Sequence, residues 1–133
     1  MTRPPRPPLY AAGVIERPDL HVLIVLTEVC SETERLWRLP RFATLPGESP
    51  EAALRRGAEK ELGLTPDVMI GQPPLLTDVE GAKAELRYFF CGVIHAEAEF
   101  QSSLEMRWVA REQLREYDFD AASQPVVDWL LNG

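Results

Sequence analysis

At its centre the chain reads Leu45-Pro-Gly-Glu-Ser-Pro-Glu-Ala-Ala-Leu-Arg-Arg-Gly-Ala-Glu-Lys-Glu-Leu-Gly-Leu64, which has the pattern of a loop, one helix and a second loop. Ser49 can cap a helix, Pro50 suits the first helical position, and Gly63 falls just past the last turn. Between these ends the apolar side chains recur at helical spacing, at Ala53, Leu54, Ala58 and Leu62. We therefore predict an amphipathic helix over residues 50–62.

Strand patterns lie on both sides of this helix. Runs of β-branched, aliphatic and aromatic residues predict strands over residues 10–15, 21–29, 68–70, 74–76, 85–94 and 106–109. A brief helix over residues 111–116 and a closing amphipathic helix over residues 123–131, with Pro125 in its first turn, are predicted to follow. Strands, one helix, further strands and a last helix together predict an α/β (α+β) fold.

Length and composition favour a small globular protein. The 133 residues fit one domain, 45% of them are hydrophobic, and the net charge is −7. No apolar run approaches the roughly 20 residues of a membrane-spanning helix. An acidic surface argues against a nucleic-acid polymer as partner, because phosphates repel it. Cys30 and Cys91 lack metal-site spacing and are too few for a disulfide framework, so we expect a cytoplasmic protein without a membrane partner.

Residues 1–8 differ in composition from the remainder of the chain. Four of these eight residues are prolines, and no apolar stretch of the kind found in signal peptides is present. Proline fixes φ and removes a hydrogen-bond donor, so we expect a flexible or polyproline-II arm before a single domain over residues 9–133. A proline-binding partner could use residues 4–8; a plain terminal tail is the alternative.

The central segment resembles the Nudix box, the family signature G-x5-E-x7-R-E-U-x-E-E-x-G-U, in which U is aliphatic. Glu48, Arg56 and Glu61 match its first glutamate, its arginine and its last glutamate. Trp37-Arg-Leu-Pro40 resembles the W-x-L-P that leads into the box. Glu105-Met-Arg-Trp-Val109 resembles a family strand that precedes a short helix.

These matches identify the chain as resembling the Nudix hydrolase superfamily (MutT-like). The resemblance implies an α/β/α sandwich with a mixed central β-sheet. The helix over residues 50–62 is then expected on one face of the sheet, and the helix over residues 123–131 on the other.

Three positions of the box carry other residues. Phe42 replaces the opening glycine, Gly57 the glutamate after the arginine, and Lys60 the glutamate before Glu61. Positions spaced i, i+3 and i+4 share one helix face, so three glutamates there could supply the oxygen ligands that Mg²⁺ requires. Lys60 would oppose a divalent ion, since two unit charges at 4 Å interact by about 4 kcal/mol at an effective dielectric constant near 20. We therefore expect a degraded metal site.

Two classes of function stay open, and whether the chain is an enzyme is undecided by the sequence. One is a catalytically weak or inactive member that binds a nucleotide-like ligand or a protein partner, with a homodimer as one form of partner. The other is an active hydrolase that cleaves a nucleoside diphosphate linked to another moiety, using replacement carboxylates. No cofactor is expected in the first case; Mg²⁺ or Mn²⁺ would be needed in the second.

Each residue of the candidate site has a functional and a structural interpretation. Glu48, Arg56 and Glu61 are the candidate catalytic residues, and Glu105 is a further candidate carboxylate. Arg56 could grip phosphate or form a salt bridge to Glu48 or Glu61. Lys60 could neutralise a phosphate without metal or lie in solvent, and Glu61 is a metal ligand only if a site survives. Glu97 and Glu99 are interpreted as a solvated strand face.

Other chemistry-bearing residues are predicted to be structural. His21 and His95 lie in strand patterns without ligand spacing, and Cys91 is expected to be an inert core thiol. The aromatic residues are core candidates, one of which could stack on a base: Tyr88, Phe89, Phe90 and Trp108.

Overall fold

The computed structural model describes residues 7–26, 36–79, 81–93 and 105–132. Its eight strands are β1 (Leu9–Glu16), β2 (His21–Leu26), β3 (Trp37–Arg38), β4 (Arg41–Ala43), β5 (Asp67–Gly71), β6 (Leu75–Val79), β7 (Ala82–Gly92) and β8 (Met106–Ala110). Its helical segments are α1 (Pro50–Gly57), which continues as a π-helical turn (Ala58–Leu62), a 3₁₀ helix (Arg111–Glu116) and α2 (Gln124–Asn132). Among the described residues, no helix combines the length and the apolar character needed to cross a membrane.

The described strands form one mixed sheet. Its main order is β3-β2-β1-β7-β5, while β4 pairs with β1, β6 with β7 and β8 with β2. The pair β1–β7 is parallel, from Leu9 opposite Glu85 to Glu16 opposite Gly92, and the other pairs are antiparallel. The predicted mixed central sheet is therefore confirmed.

The two faces of the sheet carry separate hydrophobic cores. The α1-side core includes Leu54, Leu62 and Phe89, and the α2-side core includes Leu86, Val127 and Leu130. Alternate residues of a strand point to opposite faces, which is why neighbouring positions of β7 belong to different cores. The α/β/α sandwich is thus formed by α1 on one face and α2 on the other.

The helix predicted over residues 50–62 is present with the predicted ends. The Ser49 side chain accepts a hydrogen bond from the Ala52 N–H (3.2 Å), and Gly63 adopts a left-handed conformation with φ 67°. The final turn, however, is π-helical, with more residues per turn than an α-helix. Gly57 is consequently buried while Lys60 and Glu61 are exposed, so the prediction that these three positions share one face holds only in part.

Several strand limits differ from those predicted. The strand predicted over residues 74–76 extends as β6 to Val79, and β7 begins at Ala82, because these two residues pair across a hairpin turn at Gly81 (φ 85°). Strand β4 was not predicted, because its three residues are too few to show a strand pattern. The predicted helix over residues 123–131 is confirmed as α2, shifted by one residue.

Part of the predictions falls on residues that the structure does not describe. These are residues 1–6 of the arm, residues 27–35 with Cys30, and residues 94–104 with His95, Glu97 and Glu99. Pro7 and Pro8 are described and exposed, and β1 begins directly after them.

Candidate functional site

An ion pair joins the loop before α1 to the helix. Arg56 donates from Nε to Oε2 of Glu48 (2.8 Å) and from Nη2 to Oε1 (3.1 Å). The same Nη2 donates to the Ala43 carbonyl (3.0 Å), and the Leu45 N–H donates to Oε1 of Glu48 (3.1 Å). Of the two interpretations left open for Arg56, the geometry matches the salt bridge to Glu48, which ties β4, the loop and α1 together.

Titration of Glu48 is expected to change stability. Hydrogen bonds from the Arg56 guanidinium and the Leu45 N–H lower the pKa of Glu48 below its ordinary value of 4.5. A carboxyl with a lowered folded-state pKa stabilises the folded protein above its unfolded pKa, and that contribution is lost as the pH falls through the folded pKa. The difference in unfolding free energy between wild type and Glu48→Gln should be constant from neutral pH to about pH 5 and shrink below that.

Urea unfolding at a series of pH values measures this difference. Glu59→Gln is the matched control, since Glu59 is exposed on the same helical segment. A difference for Glu48→Gln that stays constant down to pH 3, or that shrinks equally in the control, would contradict the assignment.

The Phe42 ring packs directly on Gly57. Phe42 is only 8% exposed and belongs to the α1-side core, and Gly57 is buried beneath its ring. A Cβ atom at position 57 would lie 2.6 Å from Cδ2 of Phe42 and closer still to Cγ and Cδ1. Real Cβ atoms do not approach other atoms this closely, so any side chain at 57 requires the Phe42 ring to move. The ring therefore fills the volume through which a glutamate at position 57 would extend.

Lys60 and Glu61 lie on the exposed side of the π-helical turn. The hydrogen bonding of Arg56 to the Glu48 carboxylate is the main cause of the raised pKa of its guanidinium, and the charge of Glu61 contributes less. In the part of the chain that the structure describes, Lys60 has no ion-pair partner. A positive charge is thus available at this end of the helix.

The ion-pair partner of Glu105 differs from that of Glu48. Glu105 is exposed, immediately precedes β8, and forms an ion pair with Arg107 (3.6 Å). Within residues 7–26, 36–79, 81–93 and 105–132, no group of three or more histidine, cysteine, aspartate or glutamate side chains is arranged to hold a metal ion.

Buried polar contacts connect the β3–β4 segment and β7 to the segment that precedes α2. The Arg41 guanidinium forms an ion pair with Asp120 (2.7 Å), and its side chain is 4% exposed. The buried Ser123 hydroxyl accepts a hydrogen bond from the Leu39 N–H (3.0 Å), and the Tyr88 hydroxyl donates to the Ala122 carbonyl (3.0 Å). These contacts fix residues 120–123, which lead into α2, to β7 and to the start of β4.

The residues predicted to be structural behave as such. Cys91 is buried, and desolvation raises the pKa of its thiol to about 12, which leaves it protonated and unreactive. His21 opens β2 and contacts the Asp19 carboxylate (3.3 Å). Phe89 and Tyr88 are buried; Trp108 is half-buried, with the Arg17 guanidinium 5.0 Å from its ring centroid.

Comparison with known protein families and solved structures identifies the family and the fold of this chain. The profile of the NUDIX domain matches residues 6–130. This chain belongs to the NUDIX domain family. The family generally uses Mg²⁺ or Mn²⁺. A search of curated protein sequences finds no match.

Solved structures share the fold of this Nudix chain. One, from a study of the MutT proteins of Aliivibrio salmonicida and Vibrio cholerae, is 23% identical with a TM-score of 0.72, covering 95% of this chain and 97% of that one. The MutT protein of Methanosarcina mazei Go1 is 18% identical with a TM-score of 0.74, covering 96% and 93%. A Nudix hydrolase of Nitrosomonas europaea is 20% identical with a TM-score of 0.73, covering 96% and 87%. At these identities the likeness shows the fold alone.

Sequence reasoning missed three residues of the site. Arg41, Asp120 and Ser123 were not predicted to act together, although Phe42 in place of the opening glycine, directly after Arg41, was a signal that this corner differs. The partners of Arg41 lie near the other end of the chain, and neither shows a local pattern that singles it out.

Proposed function

We propose that this Nudix-fold protein has a degraded Nudix box, does not carry out metal-dependent hydrolysis, and acts by binding. The observation that carries the proposal is the packing of the Phe42 ring on Gly57. Mg²⁺ needs near-octahedral oxygen coordination at about 2.0–2.1 Å. An aromatic ring offers no such ligand, and it occupies the space of one.

Charge on the neighbouring turn supports the same conclusion. Lys60 stands where a carboxylate ligand would be required, so only Glu61 of the three matching positions carries a carboxylate. Glu48, the carboxylate of the loop that matches the first glutamate of the box, is held by Arg56 through two hydrogen bonds. The residues present therefore do not fit a divalent ion.

The ligand that we propose is nucleotide-like and is bound without metal. Lys60 supplies an exposed ammonium group that can neutralise a phosphate directly, as a metal ion would do in an enzyme of this family. We expect the protein to act in the cytoplasm, where nucleotides are available and a free thiol such as Cys91 stays reduced.

A protein partner is the second candidate. Large apolar side chains are exposed along β5 and β6, where Met69 is 64%, Ile70 59% and Leu76 54% exposed. Large apolar patches left exposed on a protein surface mark interaction sites. A homodimer through this edge belongs to the same candidate.

The first experiment measures phosphate and nucleoside-monophosphate release from a panel of nucleoside diphosphate derivatives, with Mg²⁺, Mn²⁺ or chelator. Wild type and Glu61→Gln are expected to give equal, background rates. Metal-dependent turnover that is lost in Glu61→Gln would overturn the proposal and favour an active hydrolase with replacement carboxylates, with Glu48, Glu61 and Glu105 as the residues to substitute next.

A variant in which the motif residues are restored tests the same proposal in the opposite direction. The triple variant Phe42→Gly/Gly57→Glu/Lys60→Glu is expected to bind Mn²⁺ in a calorimetric titration, whereas Lys60→Glu alone is not, because the Phe42 ring still fills the site. Circular dichroism first establishes that each variant is folded. Equal Mn²⁺ binding by wild type and the triple variant would contradict the role of Phe42.

Binding is measured with the same nucleoside diphosphate derivatives in the presence of chelator. Loss of one charged hydrogen-bond partner in Lys60→Gln is expected to weaken binding about tenfold. If no member of the panel binds wild type, the nucleotide part of the proposal is wrong and the protein-partner candidate remains.

A further inference from the structure

Arg87 lies in the middle of β7 and points to the α1 side of the sheet. Its neighbours Leu86 and Tyr88 belong to the α2-side core. Because alternate residues of a strand point to opposite faces, Arg87 points to the α1 side, as Phe89 does. The side chain is half-buried, and its Cζ lies 5.4 Å from the centroid of the Phe89 ring. The guanidinium is thus held over a buried aromatic ring.

This guanidinium has no counter-charge in the part of the chain that the structure describes. The Nε–H of Arg87 is buried and has no hydrogen-bond partner among the described residues. Glu85, two residues earlier on the same face of β7, forms no ion pair with it. A buried donor without an acceptor costs free energy, because its hydrogen bonds to water are lost. A bound anion would supply the missing counter-charge.

The guanidinium reaches the neighbouring strand β5 at Gly71. A Cβ atom at position 71 would lie 3.5 Å from Nη2 of Arg87 and 2.9 Å from Cε1 of Phe89. Any side chain there would therefore displace the ring over which the guanidinium lies. The glycine allows Nη2 to lie beside the main chain of β5.

The main chain offers a second hydrogen-bond donor at this point. Gly71 pairs with Phe89 in the antiparallel ladder between β5 and β7. The next N–H, that of Gln72, donates to the Tyr88 carbonyl (2.8 Å). Because successive residues of an antiparallel strand direct their N–H groups to opposite sides, the Gly71 N–H points away from β7. Gly71 is exposed, and β5 ends the main strand order of the described sheet, so this N–H is open to a ligand.

We propose that Arg87 and the Gly71 N–H form a binding site for a small oxyanion, either a phosphate or a carboxylate group. A planar guanidinium presents its N–H donors along its edges, where they match two oxygens of one anion. A partly desolvated cation also attracts an anion more strongly than a fully hydrated one does. This inference goes beyond the proposed function and does not depend on it, since the site contains neither Arg56 nor Lys60.

Thermal unfolding of the full-length protein tests the site. Sodium phosphate and sodium acetate are each compared with sodium chloride at the same ionic strength. At least one of them is expected to raise the unfolding midpoint of wild type, because a ligand that binds only the folded state stabilises it. The anion with the larger effect identifies the group that the site prefers.

Two variants of Arg87 and one control assign the effect to this side chain. Arg87→Met keeps an unbranched apolar side chain beside Phe89 and should lose the anion-dependent shift. Arg87→Lys keeps the charge without the planar fork and should retain only part of it. Lys83→Met is the matched control and should behave as wild type, since Lys83 is an exposed cation on the same strand and the same charge is removed.

The stability in chloride alone separates binding from a structural role. The midpoint of Arg87→Met should then equal or exceed that of wild type, because an unpaired buried donor is removed. A midpoint well below that of wild type would assign Arg87 a structural role and overturn the proposal.

NMR of ¹⁵N-labelled protein locates the anion. The Gly71 amide resonance, assigned by triple-resonance experiments, is expected to shift as the anion is added to wild type or Lys83→Met. Arg87→Met should bind about tenfold more weakly, as expected for the loss of a charged hydrogen-bond partner. An unmoved Gly71 resonance, equal effects in wild type and Arg87→Met, or no effect beyond that of chloride would each overturn the proposal.

Discussion

Replacing Gly57 by alanine is expected to lower the free energy of unfolding by about 1–3 kcal/mol, the range found for overpacked cores. At an unhindered helical position the same change would raise stability by about 1 kcal/mol, because glycine is a poor helix former. Here the new Cβ would overlap the ring of Phe42, which is itself held in the α1-side core. The clash therefore reverses the sign of a substitution that normally stabilises.

A double-mutant cycle with Phe42→Ala tests this explanation. Phe42→Ala alone should cost about 3 kcal/mol, as large-to-small core substitutions do. In that background Gly57→Ala should become neutral or stabilising, since the space beside position 57 is then open. Urea unfolding of the four proteins gives the coupling free energy. Equal effects of Gly57→Ala in both backgrounds would mean that the ring does not restrict position 57.

Removing Asp120 should destabilise the protein by about 3–5 kcal/mol, because it leaves the Arg41 guanidinium buried without its counter-charge. The Arg41 side chain is 4% exposed and that of Asp120 16%, so water screens the pair poorly. Asp120 Oδ1 also accepts from the Ser123 N–H (3.0 Å), at the turn that leads into α2. Asp120→Ala loses both interactions, and thermal or urea unfolding measures the sum.

Three variants separate the contributions. Asp120→Asn keeps an acceptor for Ser123 and should fall between wild type and Asp120→Ala. Arg41→Met/Asp120→Ala removes both charges and should recover part of the loss, since no buried charge is left unpaired. Asp128→Ala, an exposed aspartate on α2, is the control and should change stability by less than about 0.5 kcal/mol. A loss below about 1 kcal/mol for Asp120→Ala would contradict the buried ion pair.

Together these two predictions concern the same corner of the molecule. Phe42 fills space beside α1, and Arg41, the preceding residue, is fixed to the segment before α2. Adjacent residues of a strand point to opposite faces of the sheet, so β4 directs one side chain into each layer. These two neighbouring residues thereby take part in packing on both faces of the sheet.

Much of the fold could be predicted from local sequence. The limits of the helix over residues 50–62 followed from Ser49, Pro50 and Gly63, because capping and backbone conformation are decided by a few neighbouring residues. The buried strand positions of β1, β2 and β7 followed from their apolar runs. The π-helical turn that follows α1 was not predicted, since it depends on how the helix packs rather than on its composition.

By itself the sequence determined the family, the cap and extent of the central helix, and the replacement of the motif residues by Phe42, Gly57 and Lys60. Only the tertiary structure decided what those replacements do: it placed the Phe42 ring in the volume of a side chain at position 57 and paired Arg41 with Asp120. The reason is physical. Capping and periodicity act between residues close in the chain, whereas packing and buried ion pairs act between residues that folding alone brings into contact.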